Sequence, residues 1–203
     1  MTSINPVSVY AESTPNPSAL KFVSSRMLLF EGSAEFQHPS EASNCPLASG
    51  LFAFSGVKSV FISSNFITVT KEGDIDWYEI TNILREYIRG FLMSGEKVFL
   101  ADPNATPSIS SQETATINPE NSSAEPDELE QRIAEILEEY VRPAVEQDGG
   151  EIRLRSFQNG IVTVSLRGSC SGCPSSSLTL KSGIENLLKS MVPEVLEVVA
   201  EAN

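Results

Sequence analysis

The chain has little of several things that would have classified it at once. Among 203 residues there are three cysteines, one tryptophan and one histidine. Three cysteines cannot make a disulfide framework, and only two of them stand close together, which fits a reducing compartment with thiols kept for chemistry. Basic residues are scarce: 14 Lys and Arg against 27 Asp and Glu, a formal charge of −13. No Lys/Arg run exists to follow a phosphate backbone, so nucleic acid is excluded as a partner. No apolar stretch approaches the ~20 residues that span a bilayer, so no membrane partner is expected. Met1 to Pro17 lacks both a charged region leading into an apolar one and an Arg-rich amphipathic pattern. The expectation is a cytoplasmic protein, most simply bacterial, with room for an organellar protein already trimmed of its transit peptide.

The apolar fraction, 40%, is low for one compact globule and implies that part of the chain is linker. Residues 101–126 are polar, rich in Pro, Ser and Thr, and without apolar periodicity. They cannot bury enough surface to offset their ordering entropy and are expected to be flexible. They divide the chain into units at 1–100 and 127–203, unrelated by any repeat.

In the first unit, Leu20–Val23 and Met27–Phe30 read as extended, and Pro46–Phe54 as a short helix. Val57–Ile62 and Phe66–Thr70 form a hairpin turning at Ser63-Ser64-Asn65. Asp74 or Asp76 caps a helix through about Met93, with Trp77, Ile80, Leu84, Tyr87, Ile88 and Phe91 on its apolar face. The second unit opens on a helix from about Asp127 with Leu129, Ile133, Ile136, Leu137, Tyr140 and Val141 inward, ended by Pro143 and Gly149-Gly150. Strands Ile152–Phe157 and Ile161–Leu166 flank Asn159-Gly160, a strong hairpin signal. A helix from about Ser175 to Met191 and a strand Val195–Val199 complete it. The fold class is α+β: two small domains, each a sheet with helices packed on it, joined by a flexible linker.

The chemistry concentrates in Gly168-Ser169-Cys170-Ser171-Gly172-Cys173-Pro174, between a strand and a helix. Pro174 suits a first helical position, which puts Cys173 at the N-cap. The unpaired N–H groups and positive dipole end there favour thiolates. Gly168 and Gly172 let backbone amides approach the sulfurs. Two thiolates are half of what zinc or an iron–sulfur cluster usually takes. A second copy of the loop, related by a two-fold axis, completes the set. The residues alone leave four readings open: a bridging cluster, a bridging zinc, a redox dithiol, and a pair without a ligand. The element order lacks the βαβ unit expected around a thioredoxin-like dithiol.

The residues also carry a resemblance. Asp148-Gly149-Gly150, the cysteine loop through Glu185, and Val192-Pro193-Glu194-Val195 closely resemble the C-terminal Nfu module of NifU-type proteins. Thr14-Pro15-Asn16-Pro17-Ser18-Ala19-Leu20-Lys21-Phe22, Pro46-Leu47-Ala48, Gly56–Phe61 and Phe66–Lys71 resemble the Nfu N-terminal domain. The resemblance implies an iron–sulfur carrier, not an enzyme. A [4Fe–4S] cluster would be held between the two protomers of a homodimer by Cys170 and Cys173 of each, with [2Fe–2S] the lesser alternative. The implied partners are apo iron–sulfur proteins as acceptors and an upstream cluster-assembly scaffold as donor. The chain departs from the family at Cys45, where Ser is more usual before Pro-Leu-Ala. A lone cysteine beside an apolar helix start reads as a packed small side chain. His38 reads as a solvated loop residue and Trp77 as core. Arg167 either offsets cluster charge or is an exposed strand end. Asp148 and Gly149-Gly150 read as turn-forming residues near the loop.

Overall fold

The structure, a computed structural model, describes residues 6–101, 125–171 and 174–202, with side chains at 6–101, 128–170 and 180–201. The expected linker at 101–126 and the ligand position Cys173 therefore lie almost wholly outside the described residues. Two sheets form, each with helices against it.

The first is a five-stranded antiparallel sheet in the order β1-β2-β5-β4-β3, built from β1 (Val9–Ser13), β2 (Ala19–Ser24), β3 (Ser33–Phe36), β4 (Val57–Ser63) and β5 (Phe66–Lys71). The β4–β5 hairpin stands where its sequence pattern puts it. Phe22, Val60, Ile62, Ile67 and Val69 line one face and pack with α1 (Pro46–Leu51) and α2 (Trp77–Ser94). Asp76 is the α2 cap, its carboxylate accepting from Tyr78 N–H at 3.0 Å. Leu84, Ile88 and Leu92 form the buried stripe. Tyr87 covers Gly50 and meets Phe54 edge-on with ring centroids 5.2 Å apart.

Three expectations are corrected here. Met27–Phe30 is not a strand: Leu28 and Leu29 N–H both donate to Ser64 O, wrapping the segment over the β4–β5 turn and leaving Phe30 88% exposed. The edge strand is Ser33–Phe36 instead, entered through Gly32 at φ 72°. Val9–Ser13, read as no element, is the opposite edge strand, paired with β2. The helix from Pro46 stops at Leu51.

The second sheet is β6 (Gly150–Gln158), β7 (Ile161–Gly168) and β8 (Glu197–Ala202). β6 and β7 pair antiparallel around Asn159-Gly160, both at positive φ. β8 runs parallel to β7 and starts later than expected, because Leu196 and Glu197 N–H are held by Gly160 O. Ile152, Val162, Val164, Leu166 and Val198 face α3 (Glu125–Ile136), α4 (Arg142–Gln147) and α5 (Pro174–Met191) across a core that includes Ile133, Val145, Ile184 and Leu188.

Pro143 does not end the helix, contrary to the sequence reading. Leu137–Val141 forms a π-helical turn, with Arg142 N–H donating to Leu137 O, and the helix resumes as α4 with Pro143 in its first turn. A proline early in a helical turn needs no N–H, and the wider turn upstream relieves its ring from the preceding carbonyl. That turn also leaves Tyr140, expected inside, 51% exposed. The helix ends at Asp148, and Gly149 reverses the chain at φ 80°.

Candidate functional site: the cysteine loop and its glycine base

Two glycines at positive φ bring the cysteine loop back onto its own domain. Gly149 leads into β6 and Gly168 (φ 71°) ends β7. Gly150, the residue after Gly149, pairs directly opposite Gly168. A side chain has no room at either strand end. A Cβ on Gly168 would lie 2.6 Å from Gly149 O, and one on Gly150 would lie 2.7 Å from Arg167 O and 2.8 Å from Cys170 Sγ. Ser169 and Ser171 bound a short 3-10 turn, and α5 begins at Pro174, the expected first helical residue.

The turn is stitched to the end of α4. Ser169 N–H donates to Gly149 O at 3.2 Å, and its hydroxyl donates to Asp148 O. The same hydroxyl is 3.7 Å from Cys170 Sγ. Cys170 is 5% exposed and packs with the second domain's core, its sulfur against Gly150. Asp148-Gly149-Gly150 is thus part of the site rather than only a helix stop. Asp148 has its carboxyl pushed up by burial, partly countered by Lys21.

The first domain meets this base directly. Thr68 Oγ1 donates to Gly149 O at 2.7 Å, Asn16 Nδ2 to Ser169 O at 3.0 Å, and Lys21 Nζ to Gln147 O at 3.3 Å. Gly168 N–H donates to Glu35 Oε1 at 3.2 Å. Glu151, 2% exposed, accepts from Ser33 and from Arg153 Nε at 3.0 Å. Sequence reasoning assigned none of Asn16, Lys21, Glu35 or Thr68 to the site. The signal available was Thr14-Pro15-Asn16-Pro17: Thr14 Oγ1 donates to Asn16 O and Ser18 N–H to Asn16 Oδ1, fixing an Asx turn that aims the Asn16 amide outward.

The remaining candidates are not gathered around Cys170. Cys45 is fully buried in the first domain's core at the start of α1. Burial raises its thiol pKa to about 11, against backbone N–H groups of Ala48 and Leu47 that lower it. It is a packed side chain, as expected. His38 is exposed and caps a 3-10 turn at Pro39–Asn44. Trp77 packs on the first core and donates to Pro17 O. Arg167 is half-buried rather than exposed, with Nε enclosed and without a hydrogen-bond partner among the described residues. Among the described residues no group of three or more His, Cys, Asp and Glu side chains could hold a metal ion. Nor, among them, is any helix long and apolar enough to cross a membrane.

Family models match both halves of the chain. The family model described as scaffold protein Nfu/NifU N terminal matches residues 9–95, and the NifU-like domain matches 133–199. The mitochondrial NifU-like protein 5 of Arabidopsis thaliana is 42% identical over 195 residues, covering 95% of this chain and 67% of its own length. The human mitochondrial protein named NFU1 iron-sulfur cluster scaffold homolog is 40% identical over 188 residues, covering 92% and 69%. A solution structure of the NifU-like protein of Saccharomyces cerevisiae covers 49% of this chain and 89% of its own, at 27% identity and a TM-score of 0.43. The chain belongs to the family of Nfu/NifU-like iron–sulfur cluster scaffold proteins.

Proposed function

We propose that this chain is a carrier that takes a [4Fe–4S] cluster between two protomers, through Cys170 and Cys173 of each, and delivers it to apo-proteins. The observation that carries the reading is a ligand count. The motif supplies two thiols, Cys45 is buried in the other domain's core, and no group of three metal-binding side chains stands among the described residues. A cluster that takes four ligands is then completed most simply by a second copy of the loop.

The units are 1–100 and 127–203, connected through 101–126. Half-sites make the cargo labile: an acceptor thiolate replaces one sulfur at a time, and separation of the protomers completes release. The cluster is cargo and no substrate is turned over, so the protein acts as a carrier and not as an enzyme. The two relatives described above are named mitochondrial, which favours an organellar setting over the cytoplasmic expectation. Anaerobic reconstitution with iron and sulfide tests the reading. It predicts a brown, oxygen-sensitive dimer by size exclusion. A colourless monomer with intact thiols overturns it, and a colourless zinc-containing dimer replaces it with a zinc-bridged module.

A further inference from the structure

The first sheet has a second face, opposite its helices, and one row of it is unusual. By strand register Glu12, Lys21, Thr68, Phe61 and Glu35 lie abreast across β1, β2, β5, β4 and β3. Glu12 pairs with Lys21 at 3.3 Å. The other four all reach the base of the cysteine loop. Lys21 bonds Gln147 O, Thr68 bonds Gly149 O, Glu35 accepts from Gly168 N–H, and the Phe61 ring stands 2.9 Å from where a Gly168 Cβ would be. Asn16 adds Ser169 O from the turn beside β2. In these four hydrogen bonds the loop-side atoms, Gln147 O, Gly149 O, Gly168 N–H and Ser169 O, all belong to the main chain, so the bonds follow the path of the loop.

We propose that this face is a reversible clamp that holds the unloaded loop with Cys170 turned inward, and that it lets go when two loops share cargo. The proposal rests on the half-site reading above. In the clamped arrangement Cys170 Sγ lies against Gly150 within its own domain, whereas a shared cluster needs that sulfur turned toward another protomer. Among the described residues, the apolar cluster on this face is small, Val23, Phe61 and Phe66, and the hydrogen bonds to the loop base lie around it. Such an interface between domains is built to open. Because the clamp favours the unloaded loop, weakening it raises the loop's apparent affinity for cargo by the factor with which the open state gains population.

The test uses the full, reduced, metal-free chain. N-ethylmaleimide labelling is followed by peptide mass spectrometry, which separates Cys170 from Cys173 and Cys45. Asn16→Ala and Thr68→Val each remove one hydrogen bond to the loop, and each is expected to speed Cys170 labelling roughly 2- to 12-fold, the double variant more. Tyr78→Phe, at a side chain 89% exposed on α2 and away from the row, is expected to leave the rate unchanged. Cys45 stays unlabelled while the first domain is folded. If Thr68→Val exposes Cys45, Asn16→Ala decides alone, since Asn16 belongs to neither hydrophobic core. Wild-type labelling of Cys170 at the rate of a free thiol, or an unchanged rate in Asn16→Ala, overturns the clamp. No iron enters this assay, so its failure is separate from failure of the carrier reading. In a second arm, Asn16→Ala is expected to take up more cluster than wild type at limiting iron and sulfide. Lower uptake than a cluster-competent wild type would mean that the sheet supports the loaded loop, and would also overturn the proposal.

Discussion

Gly150→Ala is the smallest change that tests how the cysteine loop is seated. The added methyl would lie 2.7 Å from Arg167 O and 2.8 Å from Cys170 Sγ, where ordinary contact is 3.4–4 Å. The carbonyl belongs to the paired strand and cannot move without disturbing the Gly150–Gly168 pairing, so the sulfur has to yield. Overpacking of this kind costs about 1–3 kcal/mol. The gain from a less flexible unfolded chain returns about 0.4–1 kcal/mol. The net expectation is a loss of ~1–2 kcal/mol, read by native-state hydrogen exchange at the β6 and β7 amides, which reports this domain alone. Gly183→Ala is the control. Gly183 lies within α5 with open space around its Cβ position, and alanine there is expected to stabilise by about 0.5–1 kcal/mol. The two substitutions therefore differ in sign within one domain. A Gly150→Ala chain as stable as wild type would refute the packing of Cys170 against Gly150.

Three other outcomes follow from the same geometry. Asp76→Ala removes the α2 cap and is expected to cost about 1 kcal/mol in urea unfolding of the first domain, with Asp76→Asn near neutral. Cys45 keeps its proton to about pH 11 when folded, against a usual value of 9.0. The stability this gives is complete below pH 9 and is lost as pH rises toward 11, by ~2–3 kcal/mol. Unfolding curves of Cys45→Ala should lack that portion of the alkaline loss, and equal pH slopes for the two chains would count against the buried thiol. Cys170→Ser and Cys173→Ser are each expected to abolish cluster retention, while the apo chain still unfolds cooperatively in urea, with Cys170→Ser costing about 1–3 kcal/mol for the hydroxyl placed in the second core.

Elements with a complete local signature were legible in the sequence. The Asn159-Gly160 hairpin, the Asp76-capped helix and the proline-started α5 each combine periodicity with a turn or cap residue, and all three stand where that combination puts them. β1 was not legible, because Val9-Tyr-Ala-Glu-Ser buries only Val9 and gains its place from pairing with β2. Pro143 misled because its effect depends on the π turn before it. The contact between domains was hidden for a different reason. Lys21, Thr68 and Glu35 alternate with apolar residues, as a solvated sheet face does. A polar face that meets another domain's backbone has the same composition as one that meets water. The cysteine loop stood out for the opposite reason, since its spacing has few other uses.

The central claim is that one cargo is held by two half-sites. Native mass spectrometry of the anaerobically loaded chain tests it most directly. The account predicts a species of two chains carrying about four irons and four sulfides, as the cubane requires, and its absence when either Cys170 or Cys173 is replaced by serine. A cluster on a single chain, or a two-chain cluster that survives both replacements, would contradict it.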